Sequence, residues 1–289
     1  QMDADGAAIP ALAESYDLSE DGKTYTFHLR DAKWSNGDAV TAADFVFGWH
    51  RAVDPATASE YSYMLSDIGQ IVNAAEIIAG EKPVTDLGVS AVDDKTLEVQ
   101  LNVPVSYFLS LMYFPTFYPV NEAFYNSCAD TFGTSPDTVL SNGAFKLTDY
   151  QPAATAFTLE KNPDYYDADK IALDSLAYQV IKDSQQALMS YQTGALDMTL
   201  LNGEQVDQVK DDPEFTSVGA GYLWYLSPNM AGVPELANEN LRKAITFALD
   251  RDSITDDVLK DGSAPCYTAV PPQFATGPDG SDFSADPTK

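Results

Sequence analysis

Apolar and polar side chains alternate with a period of two in residues 25–30, YTFHLR, near the start of the chain. This alternation predicts a strand with one buried and one exposed face. A turn is expected at 35–38, SNGD, because Asn and Gly tolerate the positive φ angles of tight turns. Beyond the turn the apolar side chains recur at helical spacing, which predicts a helix over residues 42–52.

The sequence also indicates where this helix begins and ends. Thr41 is a predicted N-cap, because its hydroxyl can accept from the backbone N–H of Asp44 while the Asp44 carboxylate reaches back. Phe45 and Trp49 fall on one stripe of the helix and are expected to be buried. Pro55 ends the helix, because the residue before a proline is pushed out of the helical region.

The same two periodicities predict further elements along the chain. They are a helix over 67–79, a hairpin of 89–92 with 96–101, a hairpin of 145–150 with 157–161, a strand–helix–strand unit from 176 to 199, an aromatic strand over 219–229, and helices that begin near 238 and 253. Residues 1–20 are polar and lead to the first strand. The stretch from 271 onward is rich in Pro, Gly, Ser and Asp and is interpreted as a loop or linker.

The unit from 176 to 199 is the clearest predicted βαβ motif. Its first strand, 176–181, is expected to be buried on both faces. Asp183 is the predicted cap of the helix and Gly194 closes it, with a return strand at 195–199. If the two strands share a sheet and run parallel, the crossover should be right-handed.

Residues 104–121 are the most aromatic part of the chain. Aromatic clusters are usually core, so Phe108, Leu111 and Met112 are predicted to be buried. Phe114 begins a loop, and two interpretations stay open for it, namely a core side chain or a side chain that faces a cleft.

Composition narrows the class of protein. A chain of 289 residues can bury a real core and would normally form two domains. Its 16 basic and 44 acidic residues give a net charge of −28, which would repel nucleic acid and anionic membranes. Solubility in an exposed compartment is the favoured interpretation of this acidity; attraction of cationic substrates is the alternative, although the acids are scattered.

Candidate chemistry is sparse. The two cysteines, Cys128 and Cys266, form neither a disulfide framework nor a metal site; they could pair or stay free, and the free state is expected. His28 and His50 are the only histidines and are interpreted as structural residues. No nucleophile elbow, phosphate loop or dinucleotide fingerprint occurs. Residues 279–282, DGSD, are acidic but lack the spacing of an EF-hand calcium loop. No metal and no cofactor are therefore predicted.

Several longer stretches resemble one protein family. These are TFHLR, AKWSNGDAVTAADFVFGWHR and VDPATASEY within residues 26–61, then NGAF with LEKNPDYYD, QTGALDMTL and LRKAITFALDRDSI. Together they resemble the family-5 extracellular solute-binding proteins of peptide ABC importers, typified by the oligopeptide-binding protein. The resemblance extends over roughly residues 8 to 273.

The resemblance implies an α/β fold, namely a periplasmic-binding-protein-like lobe (type II, cluster C) with a mixed sheet, incomplete at both ends. Residues 1–25 and 141–222 would form the α/β core of the first lobe, and 26–140 a smaller inserted subdomain. Residues 223–289 would form the start of the hinge and a truncated beginning of the second lobe.

The implied function is extracellular capture of short peptides for delivery to an ABC importer, without catalysis. The implied partners are short peptides and the importer's membrane subunits, and the protein is expected to be a monomer that is periplasmic or anchored by lipid to the bacterial cell surface. Alternatives are a nickel complex or sugar as the solute, a carbohydrate-active enzyme with a carboxylate pair, or a surface interaction domain without a small ligand.

The resemblance also implies ligand contacts. Tyr61 occupies the position of the family's tyrosine contact, and Trp224 and Tyr225 lie in a segment similar to the ligand-facing strand. Leu201 and Asn202 lie at the loop where the family often presents an amide, and Leu201 stands in one of those places. Phe114 is added from the aromatic segment. The acid that anchors the peptide's α-amino group belongs to the second lobe, so residues 1–289 alone are expected to bind peptide weakly.

Overall fold

The computed structural model describes residues 1–3, 7–219, 221–268 and 270. The chain divides into two compact units, residues 1–180 and residues 181–289, and each is described here by itself. The three-part division into lobe core, inserted subdomain and hinge stays a prediction. The segments predicted as a terminal linker and as a weak calcium loop lie outside the described residues.

The first unit begins with a four-stranded antiparallel sheet in the order β1-β2-β4-β3. Its strands are β1 (Ala13–Leu18), β2 (Thr24–Leu29), β3 (Val89–Asp93) and β4 (Thr96–Gln100). The predicted strand at 25–30 and the predicted hairpin of 89–92 with 96–101 are both confirmed. β1 is an edge strand whose side chains are mostly exposed, so it lacks the alternation by which β2 is recognised.

Helices and short turns cover one face of this sheet or connect its strands. Those described in the first unit are α1 (Ala42–Val53), α2 (Ala74–Ile78), α3 (Phe108–Leu111) and α4 (Glu122–Cys128), with a π-helical turn at Met64–Ile68 and 3₁₀ turns at Val84–Asp86, Pro115–Phe117, Ala129–Thr131, Pro136–Thr138 and Ala168–Lys170. The core lies between β2, β4, α1 and the aromatic segment. Its largest buried side chains include Tyr25, Phe27, Trp49, Leu65, Ile71, Leu97, Val99, Phe108 and Phe117.

The first helix forms as predicted. Thr41 and Asp44 form the capping box, and the Thr41 N–H donates to Asp44 Oδ2 over 2.8 Å. Trp49 is buried, and its Nε1–H donates to the Phe117 carbonyl oxygen over 3.0 Å. The two rings meet edge to face at 5.3 Å. This contact fixes the aromatic segment against α1, and Phe108 is buried there as predicted.

The helix predicted for 67–79 is wrong. Gln70 and Asn73 have φ angles of 54° and 66°. A right-handed α-helix requires negative φ angles, so neither residue can lie inside one. The chain therefore forms the π-helical turn, a break and then α2. In the break, Ile71 pairs with Leu101 through an isolated β-bridge. Ile71 is buried, but it reaches the core from extended chain rather than from a helix face.

A second antiparallel sheet completes the first unit, with the order β5-β6-β7. Its strands are β5 (Phe145–Asp149), β6 (Ala156–Lys161) and β7 (Ser175–Gln179), and the predicted β5–β6 hairpin is confirmed. Every strand pair in both described sheets is antiparallel, so the mixed sheet expected from the sequence is not seen.

The βαβ prediction from 176 to 199 is wrong in two respects. β7 pairs antiparallel with β6 and is mostly exposed rather than buried on both faces. After the helix, Gly194 takes a φ of 76° and the chain turns back, with the N–H of Ala195 bonded to Ser190 O. Residues 195–199 then run without a strand partner. The predicted helix itself forms, and Asp183 caps it through the N–H of Gln186 over 2.7 Å.

The second unit is helical in its described part. Its helices are α5 (Ser184–Gln192), α6 (Gly203–Val209), α7 (Glu239–Ala248) and α8 (Arg251–Ser253), which continues as a π-helical turn at Ile254–Leu259, with a 3₁₀ turn at Pro234–Ala237. The helices predicted near 238 and 253 are thus found. The aromatic strand predicted over 219–229 is wrong, because the described residues of that stretch form no strand. α7 has no buried residue despite its apolar stripe.

Candidate ligand-binding surfaces

Two of the residues expected to contact ligand meet in the first unit. The rings of Tyr61 and Phe114 lie 5.1 Å apart, and Tyr63 lies 6.1 Å from Tyr61. We call these three residues the aromatic patch. Tyr61 is 50% exposed, whereas Phe114 is half-buried and packs against the core. Phe114 thus packs against the core and also contacts Tyr61, and its position at a ligand cleft stays a prediction.

Local turns place the aromatic patch at the surface. The N–H of Met64 bonds to the carbonyl oxygen of Tyr61 over 3.1 Å, at the start of the π-helical turn. Phe114 precedes a 3₁₀ turn. The last residue of this turn, Phe117, accepts the hydrogen bond from Trp49 Nε1 through its carbonyl oxygen. The patch thus rests on a rigid base. Tyr63 was not singled out from the sequence; the spacing Tyr61-Ser62-Tyr63 in a turn was the available signal.

Trp224 and Tyr225 belong to the second unit. Their side chains are 89% and 77% exposed, and the chain around them has no regular structure. Large aromatic side chains exposed to this degree are typical of surfaces that another group covers. Their predicted contact with ligand stays a prediction.

Asn202 has a structural task. Its Oδ1 accepts from the N–H of Gln205 over 3.1 Å, which caps α6, and its Nδ2 donates to Ser184 Oγ over 2.9 Å. Gln205 is buried and donates from Nε2 to Ser184 O over 2.6 Å. These bonds tie the start of α6 to the start of α5. The spacing Asn-x-x-Gln in the sequence is itself the signal of this capping box.

A separate cavity of about 350 Å³ lies in the first unit. Its wall is largely apolar and includes Phe27, Leu29, Trp49 and Met112, but neither Tyr61 nor Phe114. Asn142 also lines it, and its Nδ2 is buried without a hydrogen-bond partner in the described part of the chain. The cavity and the aromatic patch are therefore different features of the unit.

Ionisable groups in the first unit are arranged as structural residues. His28 Nε2 lies 2.9 Å from Asp17 Oδ2 on the exposed face of the sheet. Burial lowers the pKa of His50 below its ordinary value of 6.5, and attraction to Glu122 offsets only part of this effect. Burial also raises the pKa of Tyr166, whose ring lies 4.3 Å beneath the guanidinium of Arg30.

Within the described ranges, no group of three or more His, Cys, Asp or Glu side chains could hold a metal ion. The thiols of Cys128 and Cys266 are both free, as expected. In the part of the chain that the structure covers, no helix is long and apolar enough to cross a membrane.

The family model for "Bacterial extracellular solute-binding proteins, family 5 Middle" matches residues 7–289, and the chain belongs to this family. The resemblance inferred from the sequence is thereby confirmed.

Several relatives are named as peptide-binding proteins, and one of Escherichia coli, 36% identical, is named as a probable deoxycholate-binding protein. The dipeptide-binding protein DppE of Bacillus subtilis is 37% identical over 276 residues, which is 95% of this chain and 49% of that protein. The solved structure of Listeria monocytogenes OppA bound to peptide is 40% identical, with a TM-score of 0.80 over 97% of this chain and 56% of the other. The pheromone receptor PrgZ has a TM-score of 0.86 at 35% identity and covers 96% of this chain and 55% of its own.

These likenesses confirm the predicted fold class, because they span nearly the whole chain at high identity. The chain also spans only about half the length of the relatives that it matches.

Proposed function

We propose that the whole protein captures short peptides outside the cytoplasmic membrane and delivers them to the membrane subunits of an ABC importer, without changing the ligand chemically. The observation that supports this most is the likeness to Listeria monocytogenes OppA, whose structure holds a peptide, at 40% identity and a TM-score of 0.80. The B. subtilis relative is likewise named for dipeptides. A monomer on the cell surface or in the periplasm, held there by lipid or free, completes the proposal.

The aromatic patch is the proposed peptide contact of the first unit. An extended peptide is held by backbone hydrogen bonds, while its side chains need tolerant surfaces. Tyr61 offers an exposed ring and a hydroxyl on a rigid base, so it can pack against an apolar or aromatic side chain at little cost in conformational entropy. Phe114 acts mainly by holding the Tyr61 ring.

In the second unit we propose Trp224 and Tyr225 as direct contacts, on the strength of their exposure. Asn202 is proposed to act differently. Because both ends of its amide already bond to the protein, it would position the residues before α6 rather than bind the peptide directly.

The test uses the full-length protein and thermal unfolding with a mixed library of short peptides. A ligand that binds the folded state must raise the midpoint by mass action. We expect a rise with peptides and none with oligosaccharides or nickel chelates. A rise with either of those alone would overturn peptide capture and favour the corresponding alternative solute, and cleavage of an oligosaccharide would favour the enzyme.

Calorimetry then tests the aromatic patch with a peptide recovered from the library. The change Tyr61→Ala should weaken binding about tenfold, or about 1.4 kcal/mol. Tyr107→Ala is the matched control, because Tyr107 is also 50% exposed in the first unit but its hydroxyl donates to Ile68 O. Equal affinities for the two variants would remove Tyr61 from the site while leaving peptide capture intact.

A further inference from the structure

The chain contains three Asn-Gly pairs, at residues 36–37, 142–143 and 202–203. In such a pair the backbone nitrogen of Gly can attack the side-chain carbonyl carbon of Asn, because Gly has no Cβ to hinder the approach. We propose that Asn36 is the site of spontaneous deamidation in the folded protein, and that the other two asparagines are protected by their surroundings.

The reaction needs only water as a co-reactant. The Gly37 nitrogen loses its proton to solvent and bonds to Cγ of Asn36, and the bond from Cγ to Nδ2 breaks to release ammonia. Water then opens the resulting five-membered imide at either of its two carbonyl carbons. One opening gives aspartate and the other gives isoaspartate, in which the main chain runs through the former side chain.

Asn36-Gly37 is the Asn-Gly pair most accessible to deamidation. Asn36 and Gly37 are both exposed, and among the described residues no heavy atom beyond Gly37 and its two chain neighbours lies within 4 Å of the position where a Cβ of Gly37 would be. The N–H of Asp38 donates to Asn36 Oδ1 over 3.1 Å. This bond polarises the carbonyl that is attacked and holds the side chain over the following backbone. The bond from the Gly37 N–H to Trp34 O at 2.8 Å must open before the nitrogen can attack, and the bond from Asn36 Nδ2 to Asp38 Oδ2 must open before ammonia leaves.

The Asn142-Gly143 pair is held more firmly than the pair at 36–37. Asn142 Nδ2 is buried, which keeps water from the leaving group. The Gly143 N–H donates to Ser141 Oγ over 3.2 Å, and the Gly143 carbonyl accepts from the buried Asn162 over 2.9 Å. The backbone of Gly143 is therefore held at its N–H and at its carbonyl, and its N–H must leave Ser141 Oγ before the nitrogen can attack.

Asn202 is protected by the helix that it caps. Its amide is bonded to Gln205 in α6 and to Ser184 in α5. Both bonds of the Asn36 amide, in contrast, go to Asp38 within the same exposed turn. Gly203 is the first residue of α6 and packs so closely on the carbonyl of Leu259 that even a Cβ would overlap it. Attack would require α6 to unravel locally, and only that open state could react.

Conversion of Asn36 would also damage its own turn. Asn36 Nδ2 donates to Asp38 Oδ2 over 2.6 Å, and a carboxylate at 36 would repel Asp38 instead. Isoaspartate would lengthen the main chain between Trp34 and Gly37. The adjacent Ser35 N–H bonds to Ser141 O over 2.7 Å, so the change is transmitted to the segment that opens β5.

The experiment ages the full chain at pH 8 and maps peptides by mass spectrometry. We expect a gain of about one dalton at residues 36–37, with an isoaspartate product, at least about tenfold faster than at 202–203, which waits on local opening. Isomerisation at Asp21-Gly22 or Asp261-Gly262 leaves the mass unchanged, so the mass gain isolates the asparagines. Asn36→Gln should remove the fast gain.

The same chain aged in denaturant is the control. Without structure, the three pairs should convert at similar rates, because each has the same Asn-Gly chemistry. A faster or equal gain at 142–143 or 202–203 in the folded protein would overturn the proposal, as would no gain at 36–37 under conditions where the denatured chain reacts. The outcome does not depend on any ligand.

Discussion

Asp44 is the residue on which the start of α1 depends. Its carboxylate is buried and accepts from the N–H of Thr41 over 2.8 Å and from Trp34 Nε1 over 3.1 Å. One side chain therefore caps a helix and satisfies the indole of a neighbouring buried tryptophan. The sequence predicts the first of these bonds from spacing, but not the second, because Trp34 reaches Asp44 only after the turn at 35–38 has closed.

Replacement of Asp44 tests this double role. Asp44→Ala leaves two donors without a partner, one of them in a buried ring, and should lower the free energy of unfolding by about 2–3 kcal/mol. Urea denaturation measures the change. Asp31→Ala is the control, because Asp31 is fully exposed and its ion pair with Lys95 should contribute less than about 1 kcal/mol. Similar losses for the two variants would contradict this account.

His50 makes stability depend on pH. Because burial lowers its pKa in the folded state, the folded protein binds fewer protons than the unfolded chain. The stability that this provides is present above the ordinary pKa of 6.5 and is lost as the pH falls from there through the lowered value.

The measurement compares the wild type with His50→Gln, which cannot titrate. The free energy of unfolding of the wild type relative to the variant should fall between about pH 7.5 and pH 5. All carboxylates are shared by the two proteins, so their contributions cancel in the difference. A difference that does not change with pH would show that His50 titrates equally in the folded and unfolded states.

At the scale of elements, α1 and the segment that crosses it are packed backbone to backbone. Gly48 lies in the middle of α1, and a Cβ there would come within 2.8 Å of Tyr118 O and 3.3 Å of Val120 N. Glycine disfavours a helix interior, so its presence here reflects the close approach of the segment and not the needs of the helix.

Gly48→Ala should consequently destabilise the protein, although alanine is the better helix former. We expect a loss of about 1–3 kcal/mol from the forced shift of backbone, measured by urea denaturation. Ala43→Gly on the exposed side of α1 isolates helix propensity and should cost about 1 kcal/mol. A stabilised Gly48→Ala variant would mean that the crossing segment yields freely.

Elements with a strong local pattern were predictable from the sequence, and those that depend on a partner were not. β2, β4 and α1 each bury one face, so periodicity identifies them. The β5–β6 hairpin was also predictable, although none of its strand residues is fully buried. β1 has mostly exposed side chains that show no alternation, and it is held by its pairing with β2 and by side-chain contacts such as that of Asp17 with His28. Residues 195–199 and 219–229 have apolar composition, but a strand also needs a neighbour, and none pairs with them in the described part of the second unit.

The candidate site residues also divide into what the sequence indicates and what depends on the tertiary fold. Tyr61 and Phe114 were named separately from the sequence, whereas their contact depends on the tertiary fold. Asn202 was named for its amide, and its capping bonds to α6 were not anticipated. Residue type indicates which side chains could bind a ligand. Only the fold shows which of them already form hydrogen bonds within the protein.

At the scale of the whole molecule, charge is the dominant long-range effect. With a net charge of −28, the folded chain repels itself. Raising the salt from about 10 mM to about 150 mM shortens the screening length from about 30 Å to about 8 Å. We expect the unfolding midpoint to rise, because exposed ion pairs, which salt weakens, contribute little. A midpoint that falls in sodium chloride would show that ion pairs outweigh the repulsion.

The order of the first sheet also affects how this chain can fold. β2 lies between β1, its neighbour along the chain, and β4, where Tyr25 pairs with Val99. α1 and α2 both lie within the loop that this pairing closes, and closing long loops slows folding. During synthesis, the hairpin of β1 and β2 would have to wait, with one edge unpaired, until β4 has left the ribosome. During this interval the unpaired edge of β2 is exposed to other chains, so this is when the protein most needs protection from aggregation.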